Sequence, residues 1–576
     1  MKKENTAKKQ ISSRFVVLVS CFILAMAGVS ARAFYLQVLN APFLLSQGEA
    51  RVVRTEIIPA HRGLITDRNG MALAVSTPLQ SLWINPKGLL EQKEKQGSEQ
   101  YIRDIALATN TPLKVLRKKI NKHRNKEFLY LGRGLAPQDA ENMLAQVKSG
   151  LNSRTEYGRF YPASEIAAHV VGMANIDEKG QEGMELAYNE WLSGTTGAKK
   201  IISDLNGQRV KDLSLIAPAQ AGNDLQLSID MRIQHIAYRE LELAVKKHRA
   251  DSGSLVIMDV ESGEVLSMVN SPAFNPNNRT RINPESLRNR AVTDLFEPGS
   301  TVKAFTIAAA LESGKFNANT VVKTSPIYLN RKRIEDIHYY GPMSVEKILT
   351  KSSNVGAAKL ALSVGPDALN GLYSQVGLGQ TTSSGYPGER SGALPVHMSW
   401  KKIDVATLSY GYGLSVTTLQ LAHAYATLAN GGVQHPVSLL KLDEIPLGEQ
   451  VINPSTAKKV VKMLETVVSR KGTASRAHVE GYRIAGKTGT VHLSSSEGYS
   501  ENKYLSLFAG IAPASDPKVV AVIVVNNPKG KEYYGGAVAA PVFSSIMKQV
   551  LPLMDILPDE PTLQVSQIDN GSGVLL

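Results

Sequence analysis

The sequence predicts an α+β protein in three parts: an N-terminal membrane-spanning helix, a strand-rich and irregular middle region, and a larger C-terminal sheet covered by helices. Three observations predict it. An uncharged run at residues 15–31 follows Lys2, Lys3, Lys8, Lys9 and Arg14. Turn signals and short apolar stretches then alternate with polar helical sequence. From residue 225 the pattern reads helix, two strands, a mostly helical block, three strands and a helix, which makes one sheet with helical cover. At 576 residues the chain exceeds one ordinary core and reads as two or three domains. Its 43% apolar and 20% charged residues exclude long disorder. With Cys21 as the single cysteine, no intrachain disulfide and no cysteine-based zinc site can form.

The apolar run is near the short end of what spans a bilayer, about 17 to 25 residues. Positive charge before it predicts a cytoplasmic N-terminus and an exported remainder. Ala31-Arg32-Ala33 resembles a signal-peptide cleavage site, but the apolar core is longer than a usual signal core, which favours an uncleaved anchor. The expected division is a cytoplasmic tail at 1–14, an anchor at 15–36, a middle domain at 37–222, a C-terminal domain at 223–558 and a flexible tail at 559–576. The formal charge is +14, with a basic cluster at residues 114–126 (KVLRKKINKHRNK). That cluster reads as a solvated helix face. An exported, anchored protein rarely meets nucleic acid, so anionic lipid or polymer is the better-matched partner for such charge.

After the anchor, a short helix leads into irregular, strand-rich sequence. Residues 62–70 (RGLITDRNG) carry an Asn-Gly hairpin signal. Residues 86–146 read as helical and polar, and 217–223 as a linker. In the C-terminal part, Ile233, Ile236, Ala237, Leu241, Ala244 and Val245 form an apolar stripe at helical spacing. Strands are expected at 254–260, 265–270, 482–491, 504–511 and 519–526, and a closing helix at 540–553.

The chemistry is carried by three motifs in order: Ser300-Thr301-Val302-Lys303, Ser352-Ser353-Asn354 and Lys487-Thr488-Gly489. Each alone is weak, since Ser-x-x-Lys also occurs at Ser344/Lys347, Ser399/Lys402 and Ser545/Lys548. The ordered set describes a serine acyl-transfer site. Glu297-Pro298-Gly299 should turn the chain and deliver Ser300 to a helix N-terminus. Residue i+3 shares a face with residue i, so Lys303 can reach the Ser300 hydroxyl. A lysine acts as base only when desolvation or a nearby cation lowers its pKa, and Lys487 is a candidate for that cation. Ser352 and Asn354 suit proton relay and substrate hydrogen bonding. Gly489 leaves a strand without a side chain, so a peptide can lie along it, with Lys487, Thr488 and Thr490 offering charge and hydroxyls to a carboxylate. The amides of Ser300 and Thr490 are candidate oxyanion donors. The eleven histidines are scattered, with no His-x-x-x-His pair beside carboxylates, so no metal is expected.

These motifs and their flanks resemble the class B penicillin-binding proteins, and among them the division-specific peptidoglycan DD-transpeptidases (FtsI-like). The resemblance covers nearly the full length. It includes residues 62–70, 159–162, 169–172 and 183–185 of the middle region. In the C-terminal part it includes 296–303 (FEPGSTVK), 351–356 (KSSNVG), 410–414 (YGYGL), 485–490 (AGKTGT) and 533–536 (YYGG). It implies an elongated pedestal of the dimerisation type and a serine β-lactamase-like transpeptidase domain. By this resemblance Ser300 is the nucleophile, Lys303 the base, Ser352 the relay to the leaving amine, and Asn354 a ligand of substrate amide and Lys303. Thr488 and Thr490 bind the terminal carboxylate and Lys487 tunes the field. No cofactor is implied. The implied partners are peptidoglycan stem peptides and lipid II-derived glycan, β-lactams, the membrane, an FtsW-type lipid II polymerase and other divisome proteins. An inner-membrane, single-pass location follows, with the catalytic domain periplasmic.

Rival readings are a β-lactamase, an acylated but non-catalytic sensor or divisome scaffold, and an elongation-type transpeptidase. The anchor and long middle region disfavour the first, and the short cytoplasmic tail disfavours a sensor. The flanks of Ser300 and Ser352 favour the division type over the elongation type, within the resemblance. Two residues depart from the family pattern: Ala304 stands where many relatives have proline, and His492 follows the third motif where relatives are more basic. His492 is a candidate source of pH-dependent activity.

Overall fold

A computed structural model describes residues 2–91, 98–203, 209–329, 331–495 and 498–560. Helix α1 (Lys2–Phe34) continues through a π-helical turn at Tyr35–Leu39. Ser13–Leu39 is long and apolar enough to cross a membrane, with mean hydropathy 2.1 and no burial within the protein. Gly535–Leu553 passes the same length and composition test, but its helix is core: Phe543, Ile546, Met547 and Val550 are fully buried.

The chain divides into two compact units that are discontinuous in sequence. The first comprises residues 1–61, 78–158 and 194–221. An antiparallel sheet of Val53–Ile58, Gly197–Ser203 and Arg209–Ala217 lies in it. So does a small core built on Leu82, Ile84, Ile105, Leu116 and Ile120. The basic cluster forms the helix Leu113–Lys122, which buries Leu116 and Ile120 four residues apart and leaves Lys114, Lys118 and Lys122 exposed, while Lys119 Nζ donates to Tyr130 O at 3.0 Å. The polar helical reading of 86–146 is interrupted by a strand at Leu129–Leu135, where Tyr130 pairs with Trp83. Its β-branched content is nil, so propensity gave no sign of it. Residues 217–223, expected as a linker, finish the strand Arg209–Ala217 and pair Gln220 with Thr195 through reciprocal 2.9 Å backbone hydrogen bonds.

The second unit comprises residues 62–77, 159–193 and 222–576. Its sheet is built from β1 (Ser252–Asp259), β2 (Val265–Ser271), β3 (Ala485–Ser495), β4 (Gly498–Ala512) and β5 (Val519–Asn526). The order is β2-β1-β5-β4-β3, antiparallel throughout. The strands β1, β2 and β5 are almost wholly buried, as continuous apolar runs covered on both faces should be. Helix α2 (Met231–Lys247) packs on β2 and β1 through the predicted stripe of Ile233, Ala237, Leu241 and Val245, and meets the closing helix at Ala540–Leu553. The helix Thr418–Ala429, with all twelve residues buried, packs on β1 and β5. Helix Pro454–Val468 packs on β3. Residues 561–576 of the expected tail lie outside the described residues. Asp559 accepts from the Arg483 amide at 2.7 Å.

Three of the middle-region blocks that carry the family resemblance meet here. Arg62 Nε and Arg159 Nε each donate to Glu185 at 2.6 Å, on opposite carboxylate oxygens, and all three side chains are at most 1% exposed. Arg62 also donates to the Glu185 carbonyl at 2.7 Å and to Ser193 Oγ at 3.0 Å. The hairpin at Asp67–Met71 sits beside this cluster in sequence, with Asp67 accepting from the amides of Asn69 and Met71 at 2.8 Å. Removing one partner of a buried ion cluster strands the others without a counter-charge. Glu185→Ala is therefore expected to destabilise the second unit by about 3 kcal/mol or more, read as a lower denaturant midpoint with the sheet signal lost in the same transition.

Candidate active site

The turn that carries Ser300, the candidate nucleophile, is set by Gly299, whose φ of +54° and amide bond to Gly411 O (3.1 Å) reverse the chain. Ser300 lies in a 3₁₀ turn, Gly299–Val302, that runs directly into helix α3 (Lys303–Glu312). In a 3₁₀ turn residues i and i+3 nearly eclipse, so Ser300 and Lys303 share a face as their spacing predicts. Residues 303–310 of α3 are all buried, which takes Lys303 out of water.

Lys303 does not donate to Ser300 in this resting arrangement. Its Nζ donates to Ser352 O at 2.6 Å, Ser352 Oγ at 3.2 Å and Asn354 Oδ1 at 2.6 Å. Lys487 Nζ, also fully buried, donates to the same Ser352 Oγ at 3.0 Å and to Thr488 O at 3.2 Å. Ser352 thus bridges the two lysines. Burial first, and the Lys487 charge second, hold Lys303 well below the ordinary lysine range, while Asp336 opposes them. Burial lowers Lys487 to about 7.

The Ser352-Ser353-Asn354 motif is not extended. Ser352 is in the left-handed conformation (φ 59°) after helix α4 (Val345–Lys351), and Ser353 caps helix α5 (Asn354–Val364). A non-glycine residue in that region is held there by its surroundings, here by the kink between two helices. Asp336 secures the kink: it accepts from Ser353 Oγ and from the amides of Asn354 (2.6 Å) and Val355 (3.0 Å). No motif flagged Asp336; an acidic residue in a short loop carries no signal of its own.

The third motif lies on β3, at the sheet edge, where outward backbone groups can pair with a peptide. Gly489 also packs tightly against its surroundings. A Cβ there would meet Leu507 Cδ1 at 3.0 Å, Pro298 O at 3.2 Å and Thr301 Cγ2 at 3.2 Å. The missing side chain lets the nucleophile turn pack on the strand. Thr488 Oγ1 is 3.0 Å from Thr473 Oγ1, and Thr490 Oγ1 accepts from the Gly535 amide at 3.0 Å. One cavity of 430 Å³ is lined by Ser300, Ser352, Asn354, Thr488 and Thr490 together with Asp336, Tyr412, Thr473 and Tyr534. His492 is exposed, outside that lining, with its ring 4.7 Å from the Tyr504 ring.

A desolvated lysine pair bridged by a serine, beside a reachable second serine and an open strand edge, is equipped for acyl transfer to and from a peptide. Comparison with known proteins agrees. Residues 253–548 match the penicillin binding protein transpeptidase domain, and residues 57–227 match the penicillin-binding protein dimerisation domain. This chain belongs to the class B penicillin-binding proteins. It is 42% identical to the protein named "Probable peptidoglycan D,D-transpeptidase PbpC" of Pseudomonas aeruginosa, covering 95% of this chain and 96% of that one. It is 42% identical to the peptidoglycan D,D-transpeptidase FtsI of Escherichia coli K12, covering 97% and 95%. The crystal structure of penicillin binding protein 3 of Mycobacterium tuberculosis, complexed with aztreonam, superposes with TM-score 0.67 at 26% identity over 88% of this chain and 99% of that one. The α+β class, the dimerisation-type middle region and the transpeptidase domain are as the sequence predicts.

The electrostatics of this penicillin-binding protein set a pH test. With neutral Lys303 as base, acylation by a fluorescent penicillin rises with pH along a limb well below the ordinary lysine range. Lys487→Gln removes a cation that lowers Lys303, so the limb moves to higher pH. Asp336→Asn removes an anion that raises Lys303, so the limb moves to lower pH. Second-order acylation rates across the pH range check both directions, and shifts of the same sign in both variants would contradict the assignment.

Proposed function

We propose that this chain is a membrane-anchored peptidoglycan D,D-transpeptidase that cross-links stem peptides at the division septum through an ester on Ser300. The observation that carries the reading is the pair of buried lysines on Ser352 Oγ beside the cavity lined by Ser300. Ser300 Oγ attacks the carbonyl of the penultimate D-Ala while Lys303 takes its proton. The oxyanion faces the amides of Ser300 and Thr490. The C–N bond then breaks, and the proton that Lys303 took reaches the leaving amine through Ser352, which returns Lys303 to its neutral form. Thr488 and Thr490 hold the terminal carboxylate, Lys487 adds positive field, Gly489 lets the nucleophile turn approach the strand, and Asn354 holds the substrate amide. The amine of a second strand resolves the ester. A β-lactam presents the same carboxylate and a strained amide, and leaves Ser300 acylated.

The septal role is supported by near-full-length similarity to relatives named FtsI. The basic residues before the apolar helix support a cytoplasmic N-terminus and a periplasmic catalytic unit in the inner membrane. A membrane-embedded lipid II polymerase of the FtsW type and other divisome proteins are the fitting partners for an anchored enzyme that acts on nascent strands. Depletion of the protein is then expected to give filamentous cells.

The direct test reacts the protein with a fluorescent penicillin, maps the adduct by mass spectrometry and follows its lifetime. A long-lived adduct on Ser300, absent in Ser300→Ala, is expected. Rapid release would indicate a β-lactamase, and no adduct on folded protein would remove the acyl-enzyme reading.

A further inference from the structure

The roles above use one set of cavity residues and leave another idle. The proposed mechanism gives Thr488 and Thr490 the donor carboxylate, whereas Ile337, His338, Tyr340 and Lys351 line the same cavity with no part in acylation. This second set is organised. Lys351 Nζ lies 5.3 Å from the Tyr340 ring centroid, and the His338 ring packs edge-on to Tyr340 at 6.2 Å. Lys351 Nζ donates to Lys471 O at 2.7 Å, which fixes the ammonium without neutralising it. Among the described residues no carboxylate pairs with Lys351. Ile337 is 79% exposed and Tyr340 42% exposed, an apolar surface placed at the mouth of a catalytic cavity.

The chemistry says what such a surface meets. Forward and reverse acyl transfer follow one path, so the amine that resolves the ester enters where the leaving amine departed, at Ser352 Oγ. Lys351 immediately precedes Ser352. The loop bearing Ile337, His338 and Tyr340 follows Asp336, which is bonded to Ser353 and Asn354. The body of the incoming strand therefore passes over this set. We propose that Ile337, His338, Tyr340 and Lys351 form the acceptor subsite, and that it takes an anionic peptide whose reacting amine ends an aliphatic side chain. The aliphatic chain lies on Ile337 and the Tyr340 ring, and an acceptor carboxylate meets Lys351 and His338. The amine nitrogen bonds to the ester carbonyl carbon and the C–Oγ bond breaks. The amine proton passes by Ser352 and Lys303 to Ser300 Oγ.

This inference rests on the transpeptidase reading, and one experiment separates the two. The full-length protein in detergent is given a soluble D-alanyl thioester donor and either of two acceptors. One is a tripeptide ending in a diamino acid with free carboxylates; the other is the same peptide with its carboxylates amidated. Transfer by each variant is read relative to its own rate of acylation by fluorescent penicillin. The wild type is expected to show the lower KM for the anionic acceptor. Lys351→Ala and His338→Ala are each expected to raise that KM about tenfold, the effect of one charge-assisted hydrogen bond, with little change for the amidated acceptor. His338 is exposed, so its variant stands even where Lys351→Ala disturbs Ser352. Equal KM values in the wild type, or a preference that survives both variants, would overturn the subsite alone. Thioester hydrolysis without transfer to either amine, by protein that still forms the penicillin adduct, would overturn the transpeptidase reading and the subsite with it.

Discussion

Two ammonium groups held out of water on one hydroxyl govern the rest of this active site. Lys303 and Lys487 are fully buried and both bond to Ser352 Oγ, at 3.2 and 3.0 Å. An isolated buried charge is costly, and a like charge beside it adds to the cost, so such a site relieves itself by shedding a proton. That makes a lysine usable as a base below the ordinary lysine range. Proton position then couples along the chain Lys487–Ser352–Lys303. When Lys303 is neutral, the Ser352 hydroxyl can donate to it and accept from Lys487. When Lys303 is charged, Ser352 accepts from both. One serine thus serves both protonation states without moving its backbone.

Long-range architecture holds that bridge. Lys303 and Ser352 are 49 residues apart, and Ser352 and Lys487 are 135 apart. Helix α3 brings the first lysine by being buried along its length, and the edge strand β3 brings the second. The kink between α4 and α5 turns Ser352 inward at a positive φ. Asp336 stabilises that kink through three hydrogen bonds while opposing the lowered pKa of Lys303. The same carboxylate therefore supports geometry and restrains chemistry.

Regular elements were legible because their patterns are local. The strand at 519–526 and the helix at 540–553 are found at the residues expected, since uninterrupted apolar runs and a helical stripe need no tertiary information. The Ser300/Lys303 relation was legible for the same reason: a spacing of three survives in both 3₁₀ and α geometry. What the sequence hid depends on distant partners. Ser352 takes a left-handed conformation that its residue type does not announce. Gly489 packs closely on Pro298 and Thr301, contacts its sequence neighbours do not announce. Arg62, Arg159 and Glu185 stand in separate blocks and form one buried ion cluster. The strand Leu129–Leu135 has two glycines and no β-branched residue, so only its pairing with residues 80–84 makes it a strand.

The same geometry bears on why an amine, and not water, is the fitting second nucleophile. A deacylating water needs a base of its own, and in related serine acyl-enzymes that break down β-lactams a free glutamate supplies it. Among the described residues lining this cavity, Asp336 is the single carboxylate. Its oxygens already receive Ser353 Oγ and the amides of Asn354 and Val355. Those oxygens are committed to holding the kink. Water therefore finds no carboxylate base of its own in this cavity and shares Ser352 and Lys303 with an incoming amine, which is the stronger nucleophile.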